Sequence, residues 1–299
     1  MKPVISIVTP SFNQGQFIER TIQSVLTQGI NKLEYFVADG GSSDGTLDII
    51  KKYNDRLFYV SEKDYGQADA VNKGIKATTG DIIGWLNSDD IYYPGALSAV
   101  IRHFTVHPDI DVVYGDAYHI DENDQILEPY YTEDWDYAKL KEVCFLCQPA
   151  VFFRRRVVKE VGLLDQSLAY CMDYDYWLRL GKIRPFGRLH QYLAGSRMYK
   201  NNKTLGSRVA VHKEINNMFR QKMGDIPDKW IYAYSHAVVE GKGFRRDTII
   251  QKIKYILVMT SVAIYSFFWW KHRLPVCALK TGIFGAVALL RKNIKNQSY

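Results

Sequence analysis

Two adjacent carboxylates at the mouth of an apolar strand are the residues of this chain best placed to do chemistry. The run Trp85-Leu86-Asn87-Ser88-Asp89-Asp90 closes a strand that begins near Asp81. In an open α/β sheet, ligands collect in the crevice outside the carboxyl ends of the strands. Asp89 and Asp90 there are hard oxygen ligands suited to Mg²⁺ or Mn²⁺ carrying a substrate diphosphate. A polar turn with a helix cap would draw on the same residue types. What favours a site is that three other loops of the same half-chain end in comparable polar groups: Thr9-Pro10-Ser11-Phe12-Asn13, Asp39-Gly40-Gly41-Ser42-Ser43-Asp44-Gly45-Thr46, and Asp64-Tyr65-Gly66-Gln67-Ala68-Asp69-Ala70-Val71-Asn72.

Each loop follows a strand. Apolar runs at Val4–Val8, Leu33–Ala38, Leu57–Val60 and Ile82–Leu86 read as buried strands of a parallel sheet. Between them, Ile18, Ile22 and Val25, then Leu47 and Ile50, then Ala68, Val71 and Ile75 recur at helical spacing. That alternation implies βαβ units with right-handed crossovers, so the loops open on one sheet edge. A Gly-rich strand-to-helix turn offers backbone N–H groups to an anion. Gly40, Gly41 and Gly45 fit neither the dinucleotide G-x-G-x-x-G spacing nor a Walker loop. Asp39, at a strand end, can accept a hydrogen bond from a base imide, while Asp44 can cap the next helix. Asn72 is costly inside a helix and makes sense as a brace for the ligand loops.

Further along, Asp111–Asp116 and Ala150–Phe153 read as strands, 188–198 as a final strand, and Gly206–Met223 as a surface helix. Residues 117–150 mix short strands with a helix near Tyr137–Val143. Cys144-Phe145-Leu146-Cys147 has the spacing of half a zinc site, but its apolar surroundings favour buried thiols.

The net charge of +7 is unevenly distributed. Residues 241–299 hold 11 Lys and Arg against the single acid Asp247, and residues 1–240 hold 28 basic against 31 acidic residues. A mildly acidic body thus carries a basic, apolar tail, which fits an anionic membrane surface better than nucleic acid. Tyr255–Trp270 is uncharged, Lys271 to Arg273 interrupt, and Leu274–Leu290 is apolar again apart from Lys280. As a helix the first run is roughly 24 Å long, short of a hydrocarbon core of roughly 30 Å. Two helices lying in the interface suit the flanking basic clusters, because a spanning hairpin would carry Lys271 and Arg273 across. A buried pair in a soluble bundle is the other reading. With a strand opening almost at once, the catalytic part is expected on the cytoplasmic face.

Taken in order and spacing, Thr-Pro-Ser-Phe-Asn, Ala-Asp-Gly-Gly-Ser-Ser-Asp-Gly-Thr, Asp-Tyr-Gly-Gln-Ala-Asp-Ala-Val-Asn-Lys-Gly and Leu-Asn-Ser-Asp-Asp resemble the blocks of family 2 glycosyltransferases. The likeness covers roughly residues 3–200. It implies a GT-A fold, a mostly parallel central sheet flanked by helices, and inverting, metal-dependent transfer from a nucleotide-sugar. It implies that Asp39 meets the base and Asp89 the metal, with Asn87 standing where the family's first acid usually is. Cys171-Met172-Asp173-Tyr174-Asp175-Tyr176-Trp177-Leu178-Arg179 is similar to the family's Glu-Asp block, which makes Asp173 the base, although Asp173 is also a candidate helix cap. The family's Arg-x-His element reads Arg197-Met198-Tyr199 here, leaving open what completes the metal shell. The Gln-x-x-Arg-Trp block of processive synthases is absent, which implies addition of one sugar per encounter.

The expected organisation is a GT-A domain over 1–225, with a nucleotide half near 1–115 and an acceptor half near 116–225, followed by a basic helical region over 226–299. Donor contacts are expected from Thr9, Pro10, Ser11, Asn13, Asp39, Asp64, Gly66, Asn72, Asn87, Ser88, Lys200 and Lys203, metal contacts from Asp89 and Asp90, and catalysis from Asp173. The expected partners are a nucleotide-sugar, a saccharide or lipid-linked saccharide acceptor, Mn²⁺ or Mg²⁺, and a membrane surface met by residues 244–299. A nucleotidyltransferase and a non-catalytic nucleotide-sugar-binding scaffold at the membrane are the rival readings.

Overall fold

The computed structural model describes residues 3–199 and 202–273, apart from the side chains of residues 204 and 205. The second apolar run of the tail, Leu274–Leu290, and Lys200 lie outside the described residues. The chain divides after Leu205 into two compact units.

The first unit is built on a mixed sheet. Strands β1 (Ile5–Ser11), β2 (Leu33–Asp39), β3 (Phe58–Ser61) and β4 (Ile82–Trp85) run parallel in the order β3-β2-β1-β4. The crossovers are α1 (Ile18–Leu26), α2 (Thr46–Lys51) and α3 (Gln67–Ala77). Ile5, Ile7, Val8, Ile82 and Ile83 are wholly buried, as both faces of a helix-covered parallel sheet require. On α1 the apolar stripe Ile18, Ile22 and Val25 turns inward. The expected burial of the third strand does not hold. β3 pairs only with β2 at the sheet edge, and Phe58 and Tyr59 are exposed.

After β5 (Ile91–Tyr92) and α4 (Ala96–Val106) the sheet changes direction. The later strands are β6 (Val112–Ile120), β7 (Ile126–Pro129), β8 (Val151–Arg154) and β9 (Phe186–Arg197), with helices α5 (Tyr137–Glu142), α6 (Arg155–Val161) and α7 (Met172–Gly181) between them. β8 runs antiparallel to both β4 and β6, while β6 and β9 are parallel. The full order is β3-β2-β1-β4-β8-β6-β9-β5, with β7 a hairpin partner of β6. β4, β5 and β9 therefore bring the acidic loop at 86–90 and the end of β9 together.

Helix α8 (Lys203–Gly206) follows. The second unit is helical: α9 (Arg208–Met223), α10 (Asp228–Gly241) and α11 (Ile249–Lys271). Helix α9 packs its Ile215, Met218 and Phe219 within this unit, beside α10. Helix α11 is 23 residues long, beginning well before the uncharged run, with a capping box from Thr248 and Gln251. By length and composition it is long and apolar enough to cross a membrane. One side is buried through Tyr255, Ala263, Phe267 and Trp270. Lys271 is turned inward: its side chain is 8% exposed and pairs with Asp225 at 3.0 Å and Asp228 at 2.8 Å.

Close approach in the sheet gives the first expectation. A Cβ on Gly84 of β4 would lie 2.7 Å from the Phe152 ring and 2.8 Å from Ile7 Cδ1. Overpacking of this kind costs about 1–3 kcal/mol. Gly84→Val should lower the unfolding free energy by that amount in urea titration, and an unchanged midpoint would contradict the packing described.

Candidate active site

The acidic loop is held from three sides. Where β4 ends, the Asp90 N–H donates to Asn87 O at 3.1 Å, closing a tight turn. The Thr21 hydroxyl of α1 lies 2.9 Å from Ser88 O and 2.7 Å from Asp90 O. From β9, the Arg197 N–H donates to Asp90 Oδ1 at 2.8 Å, and Arg197 Nε donates to Asp89 O at 2.7 Å. The rest of the guanidinium reaches the β6–β7 turn, donating to Asp121 O at 2.7 Å and pairing with Asp124.

The two acids of this loop stand in different surroundings. Asp90 is 4% exposed, and its carboxylate is engaged by the Arg197 backbone. Burial, aided by the charge of Asp89, pushes its pKa well up. Asp89 borders the cleft half-buried. Burial raises its pKa too, opposed by the Tyr199 hydroxyl, which donates to Asp89 Oδ2 at 3.0 Å. Asp89 is thus the member of the pair whose carboxylate can meet a ligand. Tyr199 stands where the resemblance led to a histidine, and its ring packs on Phe17 with centroids 5.0 Å apart.

Across the cleft, Asp173 lies in the first turn of α7, half-buried, where the helix dipole favours a carboxylate. Its Oδ1 accepts the Tyr174 N–H at 2.7 Å. The N-cap itself is Cys171, with no side-chain cap, so Asp173 does not hold that position. Two residues on, Asp175 points the other way: it is 1% exposed and pairs with Arg179 at 3.0 Å. Tyr174 anchors the helix through its hydroxyl to Leu140 O at 2.5 Å, and Trp177 is fully buried.

Asp89 and Asp173 border one cleft of about 550 Å³. Pro10, Ser11, Asp64, Gly66, Asn87, Ser88, Asp90 and Lys203 of the expected residues border it as well. Thr9, Asn13, Asp39 and Asn72 do not border it. Thr9 is buried, its Oγ1 3.2 Å from the Tyr35 hydroxyl. Asn13 adopts φ +52° and accepts the Ser43 N–H at 2.9 Å, joining the first loop to the second. Asp39 is 2% exposed and collects the N–H groups of Gly41 and Ser42 and the hydroxyls of Ser42 and Ser61. It orders the glycine-rich loop one strand away from Ser11, its partner in register. Asn72 exchanges two hydrogen bonds with the backbone of Leu164, at 2.9 and 3.0 Å, which braces the segment before α7.

Gln14, Gln67, Gln148, Tyr170 and Asn202 also border the cleft, although they were not expected there. Gln67 belongs to the Asp-Tyr-Gly-Gln block and had a local signal; Gln148 had none. Burial pushes the Cys144 thiol up to about 12, far from thiolate chemistry at neutral pH.

A model described as "Glycosyl transferase family 2" matches residues 6–162, just over half of the chain. The chain belongs to that family. Among similar sequences, an uncharacterized glycosyltransferase of Rickettsia typhi is 28% identical over 68% of this chain and 66% of its own length. Chondroitin synthase of Escherichia coli is 27% identical over 71% of this chain, but the match spans only 31% of that larger protein. Among solved structures, Staphylococcus aureus TarS residues 1–349, in complex with UDP-GlcNAc, superposes with a TM-score of 0.61 at 12% identity, covering 98% of this chain and 92% of that one. The mannosyltransferase PcManGT of Pyrobaculum calidifontis, in complex with GDP-Man and Mn²⁺, gives 0.59 at 16% identity, covering 99% and 83%. These likenesses show the GT-A fold.

The interactions of Arg197 are directly testable. Arg197→Met removes the donors for two backbone carbonyls and the partner of Asp124. It should lower stability by about 2–3 kcal/mol, the scale of a lost charged hydrogen bond with its acceptors left unmet. Chemical denaturation checks this, and a loss below about 0.5 kcal/mol would show that water replaces the guanidinium.

Proposed function

We propose that this family 2 glycosyltransferase moves one sugar from a nucleotide-diphosphosugar to an acceptor hydroxyl with inversion at the anomeric carbon. The observation that carries the reading is the shared cleft of Asp89 and Asp173, two carboxylates held for different work. Asp173 takes the proton of the acceptor hydroxyl as that oxygen bonds to the anomeric carbon and the bond to the diphosphate breaks. A positioned base typically contributes about 10²–10⁴-fold. Pro10, Ser11, Asp64 and Gly66 receive the nucleotide, with Asn13, Asp39 and Asn72 ordering the loops behind them. Lys203 steadies the diphosphate.

The charge of the cleft bears on the cation. Asp64, Asp89, Asp90 and Asp173 border it, and the guanidinium of Arg197 is already engaged. A diphosphate needs added positive charge there, and the all-oxygen donor set fits Mn²⁺ or Mg²⁺. Among the described residues no group of three or more His, Cys, Asp or Glu gathers to hold a metal. Asp89 would be the protein carboxylate that holds a cation carried by the diphosphate. When bound it neutralises charge on the leaving group. The UDP-GlcNAc complex of the one structural neighbour and the GDP-Man and Mn²⁺ complex of the other support the donor class.

The acceptor is read as a lipid-linked saccharide met at the cytoplasmic face of a membrane. The support lies in α11, where Ile250, Lys254, Leu257, Ser261, Tyr265 and Phe268 are exposed at steps of three or four, one continuous stripe. The opposite side of the helix is buried within its own unit, an arrangement that suits a helix lying in the interface rather than across it.

Two experiments test these readings. Asp173→Asn should cut transfer by about 10²–10⁴-fold with nucleotide affinity retained, whereas Asp89→Ala should lose cation-dependent nucleotide binding. Release of pyrophosphate instead of a nucleoside diphosphate would assign the chain to nucleotidyl transfer. The full chain should sediment with vesicles containing anionic lipid, and the triple variant Tyr265→Ser, Phe268→Ser, Trp269→Ser should stay in the supernatant. Equal sedimentation of the two would remove α11 as the contact.

A further inference from the structure

We infer that the donor sugar is uncharged, a neutral hexose or N-acetylhexosamine rather than a uronic acid, selected by a chain of amides in the cleft; this rests on the nucleotide-sugar reading above.

The reacting sugar sits between the diphosphate it leaves and the base that activates its acceptor, and so between Asp89 and Asp173. Trp85, Asn87, Gln67 and Gln148 border the same cleft and are linked to one another. Trp85 Nε1 donates to Asn87 Oδ1 at 2.8 Å, and Gln67 Nε2 donates to the same oxygen at 2.7 Å. Asn87 Nδ2 donates to Gln148 Oε1 at 2.9 Å, and Gln148 Nε2 donates to Trp85 O at 2.6 Å. Lys203 Nζ adds a bond to Gln67 Oε1 at 3.1 Å.

The chain fixes the orientation of all three amides. Asn87 must accept twice at its oxygen and donate from its nitrogen, which an aspartate could not do. That is a physical reason for an amide where the resemblance leads to an acid. Gln67 and Gln148 each have a second N–H beyond the bond just given, whereas the Asn87 amide also meets the Asp90 carboxylate. Two neutral donors on a preorganised wall, from Gln67 and Gln148, suit hydroxyl oxygens or an acetamido carbonyl.

A sugar carboxylate would meet a different environment. Asp64 and Asp173 border the cleft beside the cation-holding Asp89 and the buried Asp90, against Arg197 and Lys203 as its described cationic residues. The Arg197 side chain is 0% exposed and engaged by Asp89, Asp121 and Asp124. The Lys203 amino group lies on Gln67. Recognition of a carboxylate is best served by a guanidinium fork, and none is presented to the sugar by the described residues. The Asp173 carboxylate, a like charge on the same cleft, opposes its entry.

The test uses the purified full-length protein with Mn²⁺. Thermal shift with UDP, GDP and dTDP identifies the nucleotide. Donor pairs that share it, a neutral sugar and its uronate such as UDP-glucose and UDP-glucuronate or GDP-mannose and GDP-mannuronate, are then compared by calorimetry and by donor hydrolysis. The neutral member should be favoured by about 100-fold or more. Gln148→Arg should narrow that ratio at least about tenfold, and a retained thermal shift with the nucleotide reports that the variant folds. Gln67→Arg, on the surface of α3, serves if it does not. A uronate bound or hydrolysed as well as its neutral partner, or a ratio unmoved by either arginine, overturns the inference and leaves the transferase reading standing. Failure of every nucleoside diphosphate to bind would overturn the donor reading and this inference with it.

Discussion

A guanidinium with no exposure to water is the constraint on which the rest of this site depends. A buried charge is costly unless every N–H meets an acceptor. Arg197 offsets most of that cost through the Asp89 carbonyl, the Asp121 carbonyl and an ion pair with Asp124, above the Phe17 ring at 4.7 Å. These partners come from the loop after β4, from the β6–β7 turn and from the approach to α1. None of those segments can shift without stranding the charge. The acidic loop therefore has one geometry, set by β9 on one side and by Thr21 on the other.

Burial and partners, not residue type, divide the work among the aspartates. Asp90 and Asp175 are nearly inaccessible, one held by a backbone N–H and the other by Arg179, and both are structural. Asp39 orders a loop. Asp89 and Asp173 keep contact with the cleft because each stands at the end of an element, after a strand and in the first turn of a helix. The end of a strand or the start of a helix is where a polar side chain can leave the core and still be held by well-formed structure. In the helical unit α11 repeats the same separation across one helix, burying Phe267 and Trp270 while Tyr265 and Phe268 face outward.

The βαβ half was legible in the chain because its signals are local. Four apolar runs, the helical stripes between them and the glycines of the turns each report on their immediate neighbours, and the strands and crossovers lie where those patterns put them. Burial of β3 was misjudged for a physical reason: an edge strand and a central one can share the same short apolar run, and only pairing tells them apart. The division of the chain after Leu205 has no local signal, because α9 carries no mark saying which neighbours its apolar residues will find.

By itself, the order of residues determined the fold class and the family, since those rest on periodicity and on blocks contiguous in the chain. Tertiary structure decided which carboxylates face the cleft, that Tyr199 lies against Asp89, and that Gln148 reaches Asn87 from 61 positions away. The reason is geometric. Hydrogen bonds between distant segments depend on where β8 and β9 lie in the sheet, and strand order is a property of long-range pairing that no local pattern encodes.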